Sequence, residues 1–407
     1  MRIAVWHNLP SGGGKRALYY HVRGLVERGH QVSCWCLDSA DQSYLPLSEF
    51  APERVVPTEF RKPRTGFTSW LAPGYTEAIA RMQAFDEACR RCAKEIAAGQ
   101  FDLLFANSSV GYYVPFILRH LHMRKVLYLQ EPCRFLYEAA PDLPWVSGAE
   151  EEWDSPLFNP RRIRANYPNL QTLRLQAKQE WLNVQACNRV LVNSYFSRES
   201  VLRAYGVAAR VCYLGVDTNL FRNLNLERES FIVGVGSIDP IKHIDLAISA
   251  IALLPEPRPP LVWIANSGSG SYRETITELA RSSGVQLRIH SAISDSELVT
   301  ILNRAALLLC TPRLEPFGFA VLEANACALP VVGVAEGGLR ETVDHGRNGL
   351  LVDSEPASIA RAVERLLGDP SLARKMGETG VANVTQKWAV EKSVDRLEKN
   401  LLEVANS

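Results

Sequence analysis

At 407 residues the chain is too long for one ordinary hydrophobic core, so two domains are expected. Hydrophobic residues make up 47% and charged residues 22%, as in an ordinary globular protein, and a formal net charge of +1 gives no general drive toward nucleic acid or anionic lipid. Apolar runs such as 305–310 are far shorter than the roughly 20 residues a bilayer-spanning helix needs, and Met1-Arg2-Ile3-Ala4-Val5 opens directly as a strand without a secretory pattern, which points to the cytoplasm.

In chain order, 2–7 reads as a buried strand. Residues 15–28 read as a helix with Leu18, Val22, Leu25 and Val26 on one face, stopped at Gly29, and 31–37 as the next strand. Short apolar strands follow at 103–106, 125–129 and 189–192. Residues 139–168 break this rhythm with five prolines, an acidic run and three arginines, and read as an irregular functional segment. The stripe Leu170, Leu173, Ala177, Trp181 and Val184 has the spacing of a core-facing helix. A second series of strands is predicted at 231–235, 261–265, 285–289, 307–310, 330–334 and 350–352. Ser294-Asp295-Ser296-Glu297 is a capping box opening a helix among them. Residues 215–225, rich in Gly, Asp, Thr and Asn, read as a linker, and the chain closes on a helix at 389–404. Strands alternating with helices argue for parallel sheets covered on both faces.

Nine cysteines, an odd number, are scattered through predicted strands and helices. Cys89-x-x-Cys92 has no second pair at zinc-finger spacing, so the cysteines read as reduced packing residues and no metal site is expected.

Chemistry is concentrated in 315–353. Glu315-Pro316-Phe317-Gly318-Phe319-Ala320-Val321-Leu322-Glu323 follows the strand ending at Cys310, and Leu329-Pro330-Val331-Val332 and Gly337-Gly338 come after it. Gly318 permits close backbone approach, and a helix starting near Phe319 turns its free N–H groups toward an anion held in the loop. Glu323, placed in the first turn of that helix, can accept hydroxyl hydrogen bonds from the same ligand. A second glycine loop, Gly12-Gly13-Gly14, sits between the first strand and first helix and can approach a phosphate. Gly12-x-Gly14-x-x-Ala17 with Asp38 also fits a dinucleotide fingerprint nominally, but Asn8 to Ser11 intervene after the strand. No Asp-x-Asp motif is present to hold Mg²⁺ or Mn²⁺ on a diphosphate.

On these residues the chain resembles the family-4 glycosyltransferases. Glu315 and Glu323 have the spacing of the family's paired glutamates within Glu-Pro-Phe-Gly-x-x-x-Leu-Glu-Ala. Asn193-Ser194-x-Phe196-Ser197-Arg198, Tyr213-Leu214-Gly215-Val216-Asp217 and Phe231-x-Val233-Gly234-x-Gly236 followed by Lys242 extend the likeness. The resemblance implies a GT-B α/β fold, two Rossmann-like domains facing across a cleft. These are an acceptor-side domain at 1–217, a nucleotide-sugar domain at 218–385 and a terminal helix at 386–407 returning toward the first. It implies transfer of a hexosyl unit from a nucleoside diphosphate sugar, UDP- or GDP-linked, to a hydroxyl of a glycan, lipid-linked or small-molecule acceptor with retention, and without cofactor or metal. Glu315 and Lys242 would be catalytic. The donor would be held by Gly12, Gly13, Gly14, Gly236, Ser237, Lys242, Glu315, Pro316, Phe317, Gly318, Phe319 and Glu323. Ser237 stands where many members carry an arginine, and Gln130-Glu131 where many carry a histidine; Gln130 and Glu131 are acceptor-side candidates. A non-catalytic sugar-nucleotide-binding protein or a sugar-nucleotide epimerase of the same fold are the competing readings. Two clusters, Phe60 to Arg64 with Phe67, Trp70 and Leu71, and Arg119, His120, His122, Arg124 and Lys125 near Tyr112 and Tyr113, can meet the inner membrane face or simply cover core.

Overall fold

The computed structural model describes residues 1–62, 73–138, 160–268 and 270–407. Residues 63–72, which hold Phe67, Trp70 and Leu71 of the first basic cluster, and 139–159 of the proline-rich stretch lie outside them. From Pro160 that stretch is helix, Pro160–Val184, so its proline content misled the expectation of an irregular loop. Among the described residues no helix is long and apolar enough to cross a membrane.

The chain divides into two compact units: Met1–Val192, Arg198–Val211 and Leu397–Ser407 in one, and Asn193–Ser197 and Cys212–Arg396 in the other. The first unit carries a parallel sheet of seven strands: β1 (Arg2–Asn8), β2 (Gln31–Leu37), β3 (Glu53–Val56), β4 (Leu103–Ser109), β5 (Arg124–Tyr128), β6 (Arg189–Val192) and β7 (Arg210–Val211). Their spatial order is β3-β2-β1-β4-β5-β6-β7. β3 escaped the sequence reading because half of its four residues are exposed and no apolar run marks it. The second unit carries six parallel strands: β8 (Ile232–Val235), β9 (Leu261–Ala265), β10 (Leu287–Ser291), β11 (Leu307–Cys310), β12 (Val331–Val334) and β13 (Gly349–Val352), in the order β10-β9-β8-β11-β12-β13. Two Rossmann-like parallel sheets of this kind make the α/β architecture GT-B.

Local signals explain several boundaries. The helix Gly13–Glu27 ends where Gly29 adopts φ 83°, a left-handed geometry open to glycine. The capping box at Ser294 and Glu297 forms as the sequence indicates and opens the helix Asp295–Arg304. Each sheet has a continuous core, with Trp6, Phe85 and Phe116 in the first unit and Trp263, Ile248 and Val363 in the second.

Two expectations are overturned. Residues 215–221 are packed within the second unit: Val216 N donates to Trp388 O at 2.7 Å, and Phe221 is fully buried. The stripe on helix Pro160–Val184 is buried only at its end, for Val184 is 1% exposed and joins the core while Leu170 and Trp181 are 44% and 48% exposed. The other buried residues near this end of the helix, Glu180 and Asn183, are polar. Glu180 accepts from Tyr113 N, Gln176 Nε2 and Tyr205 Oη, and Asn183 donates to Val114 O. Three donors satisfy a buried carboxylate, so hydrogen bonding rather than apolarity decides which face turns inward.

Both sheets reverse strand order at one point, between β1 and β4 and between β8 and β11. Loops leaving the carboxyl ends of such strands diverge to opposite faces and open a crevice for ligand. The segments singled out in the sequence leave from these ends: Gly12 to Gly14 after β1, Lys242 after β8 and Glu315 after β11.

Candidate active site

In the second unit, Gly236 and Ser237 follow β8 directly, and Pro240–Lys242 forms a single helical turn capped by Asp239, whose carboxylate accepts from Ile241 N at 3.0 Å. Trp263 Nε1 donates to Gly236 O at 2.9 Å and fixes the first part of this loop. Thr311 Oγ1 donates to Lys242 O at 3.0 Å and Arg313 N to Ile241 O at 3.2 Å, tying the turn to the loop after β11. The result is one ion pair at the strand-order reversal: Lys242 Nζ lies 2.9 Å from Glu315 Oε2, with side chains 25% and 18% exposed. Partial burial strengthens such a pair relative to one in open solvent and leaves both groups reachable by ligand.

The backbone carrying Glu315 is held from several directions. Leu314 takes φ 48°, and Glu336 accepts from its N–H and from Arg313 Nε. Gly338 N donates to Glu315 O at 2.7 Å. A Cβ at Gly337 would lie 2.4 Å from Glu315 O, and one at Gly338 would lie 2.2 Å from Pro316 O. The Gly-Gly turn is therefore the surface against which the Glu315–Pro316 backbone is pressed. Ser194 Oγ donates to Pro316 O at 2.6 Å and Thr342 Oγ1 to Phe317 O at 3.2 Å. Gly318, at φ 85°, ends the loop and begins the helix Phe319–Ala326. The first N–H groups of that helix have no intrahelical acceptor and point back toward the loop.

Glu323 is the fifth residue of this helix, past the first turn in which the sequence reading placed it, and is 5% exposed. Behind it, Asn325 and Asn348 exchange side-chain contacts at 2.8 Å and reach Leu329 O and Thr342 O, a buried network linking the helix to β13. Such bonds are worth about 1 kcal/mol each net, but an orphaned partner costs about 1–3 kcal/mol. Burial and the Glu323 charge push the Cys327 thiol up to about 12, and burial does the same for Cys310, with the Glu315 charge adding to it. Neither is a reactive thiolate.

Several supporting residues had no assigned part in the sequence reading. Ser194 was seen only as part of a motif, and here it carries a backbone carbonyl of the loop. Glu341 accepts from Tyr195 N, Phe196 N and Tyr213 Oη. The signal for Ser194 was its motif; Glu336 and Glu341 had none, since an isolated surface-type glutamate carries no spacing.

In the first unit, Gly12 (φ 138°) precedes the helix Gly13–Glu27, whose N-terminus has no side-chain cap. Asn8 Nδ2 contacts Ser109 Oγ at 3.3 Å across the reversal between β1 and β4. Gln130 and Glu131 follow β5 on the same edge of the sheet, and Arg134 Nε clasps Glu131 Oε2 at 2.5 Å. Lys15 is turned inward and fully buried. Three of the five residues of the second basic cluster are engaged within the unit, Arg119 on Gln179, His120 on Asp86 at 2.6 Å, and Lys125 on the carbonyls of Leu118 and Leu121, while His122 and Arg124 are exposed.

Residues 11–220 match the model of Glycosyltransferase Family 4, and residues 216–382 match that of Glycosyl transferases group 1. Among curated proteins the chain is similar to the D-inositol 3-phosphate glycosyltransferases of Streptomyces bingchenggensis and Thermobifida fusca. It is 28% identical to the former over 286 residues, 61% of this chain and 63% of the relative. It is 26% identical to the latter over 341 residues, 75% of this chain and 77% of the relative. Among solved structures it is similar to Anabaena HepE in complex with UDP and glucose, with a TM-score of 0.70, 19% identity and coverage of 98% of this chain and 99% of that one. It is likewise similar to the sucrose-phosphate synthase of Thermosynechococcus elongatus, with a TM-score of 0.73, 20% identity and 99% coverage of both.

Proposed function

Because the chain belongs to the family-4 glycosyltransferases, whose model spans 11–220, we propose that it moves a hexosyl unit from a nucleoside diphosphate sugar to an acceptor hydroxyl with retention of configuration. The observation that carries this reading is the Lys242–Glu315 pair at the strand-order reversal, beside the N-terminus of Phe319–Ala326. The bond to be broken joins an anomeric carbon to a diphosphate. Negative charge grows on the departing phosphate, and an ammonium with a helix N-terminus stabilises that charge where it develops. Glu315 meets the donor sugar and holds Lys242 in place, and Glu323 receives the ribose hydroxyls. Gly12 to Gly14 closes on the diphosphate, and Gln130 and Glu131 serve the acceptor. UDP is the favoured nucleotide, since HepE is solved with UDP and UDP-glucose.

Lysine and helix dipole supply the electrostatics that Mg²⁺ would otherwise provide. Purified protein given UDP-, GDP-, ADP- and TDP-linked sugars in saturating EDTA should release free nucleoside diphosphate from one of them and accumulate no epimerised donor. Activity lost in EDTA and restored by Mg²⁺ or Mn²⁺ contradicts the metal-free mechanism. An epimer without nucleotide release makes the protein an epimerase, and an untouched donor that still binds makes it a non-catalytic binder.

Glu323 separates binding from turnover. Glu323→Gln is nearly isosteric but loses charge and acceptor capacity. It should weaken donor and free nucleoside diphosphate binding by about tenfold, with kcat nearly kept, the signature of a contact made equally in ground and transition states. Calorimetric Kd and saturation kinetics on the variant decide it; an unchanged Kd removes Glu323 from the nucleotide site.

A further inference from the structure

The first unit contains a buried polar cluster that glycosyl transfer does not use. His7 of β1 lies directly opposite Cys36 of β2, and Glu53 of β3 lies opposite Cys34. Residues two apart on a strand share a face, so His7, Cys36 and Glu53 rise from the same side of three adjacent strands. A ring nitrogen, a sulfur and a carboxylate oxygen from these residues lie within 4.8 Å of one another. His7 and Cys36 are fully buried, and the Glu53 side chain is 4% exposed. His7 Nε2 meets Glu53 Oε1 at 2.8 Å, and Gln42 Nε2 donates to Cys36 Sγ at 3.2 Å. One buried polar atom of the cluster, His7 Nδ1, has no hydrogen-bond partner. Native interiors seldom leave such atoms orphaned without a reason such as an ion.

We propose that His7, Cys36 and Glu53 form a structural centre for a divalent transition metal of the zinc class. Nitrogen, sulfur and oxygen donors together suit zinc and exclude magnesium and calcium, which take oxygen alone. A thiolate and a carboxylate cancel the charge of a divalent ion, which a buried site requires. Bonds of about 2.0–2.3 Å from one tetrahedral ion hold the three donors within the spacing seen, and a water would complete the fourth position. The Gln42 amide supplies the outer hydrogen bond that steadies a metal-bound sulfur. The need is physical: β3 is a four-residue edge strand with a single fully buried position, and a metal would fasten its start to β1 and β2. Lys15, buried beside the cluster, is a like charge that lowers the affinity for the ion.

The full-length protein, dialysed against chelator and then chelator-free buffer, is titrated with Co²⁺ alone. One equivalent should bind with a near-ultraviolet thiolate-to-cobalt charge-transfer band and intense visible bands of four-coordinate cobalt, and Zn²⁺ should displace it and raise Tm. Cys36→Ser should lose the charge-transfer band while its metal-free Tm and circular dichroism stay near wild type. Glu53→Gln, a second variant, should weaken Co²⁺ binding, and Lys15→Met should tighten it by about tenfold as the like charge is removed. Absence of the band, a band that survives in Cys36→Ser, or an affinity unmoved by Lys15→Met overturns the proposal.

Discussion

Glu315→Gln is expected to lower kcat on the order of a hundredfold while leaving nucleoside diphosphate affinity nearly unchanged or slightly tighter. Glutamine matches the shape of glutamate, so the variant tests charge rather than packing. The carboxylate sits 2.9 Å from Lys242, and its backbone is pinned by Gly338 N and pressed by Gly337, so the substitution should leave the loop in place. What it removes is the negative charge that the proposed mechanism sets against the donor sugar, and one partner of Lys242. The released ammonium is then freer to meet a diphosphate in the ground state, which is why affinity does not fall. Turnover and Kd measured on the same preparation decide the matter. A variant that binds nucleotide poorly yet turns over normally at saturation would exchange the roles of Glu315 and Glu323.

Lys242→Ala should lose at least about tenfold in kcat and in kcat/KM together, since a charged group acting on the transition state is worth a few kcal/mol. Ser237, in the loop that also carries Lys242, is uncharged, so in the proposed site the charge of this loop falls on Lys242. The truncation also leaves Glu315 half-buried without its ammonium, so Tm should fall somewhat. The double variant Lys242→Ala with Glu315→Gln isolates the coupling. Residues in direct contact couple by about 0.5–3 kcal/mol, so the double loss in kcat should be smaller than the product of the single losses. Near-wild-type kinetics in Lys242→Ala would remove it from the donor site.

The sequence by itself determined the architecture and the loop and helix that frame the candidate site. Strands at 261–265 and 307–310 fall where periodicity puts them, because parallel strands buried on both faces read as unbroken apolar runs. Glu315, Gly318 and the helix start at Phe319 were legible because loop, glycine and helix signals are local. Tertiary structure alone decided what depends on residues far apart in the chain. Lys242 and Glu315 are 73 residues apart and meet only because β8 and β11 are neighbours at the order reversal. The burial of Glu323 beyond the first turn, the support of Pro316 O by Ser194, and the clamp of Glu336 on Leu314 N have no pattern in sequence. On Pro160–Val184 the periodic stripe is buried only at Val184, because hydrogen bonds from Tyr113 and Tyr205 to Glu180 and from Asn183 to Val114 hold two polar side chains inside while Leu170 and Trp181 stay out. His7, Cys36 and Glu53 lie on three separate strands, and only the register of β1, β2 and β3 makes them neighbours. Local propensity writes elements into a sequence, whereas strand order and register decide which side chains share a space.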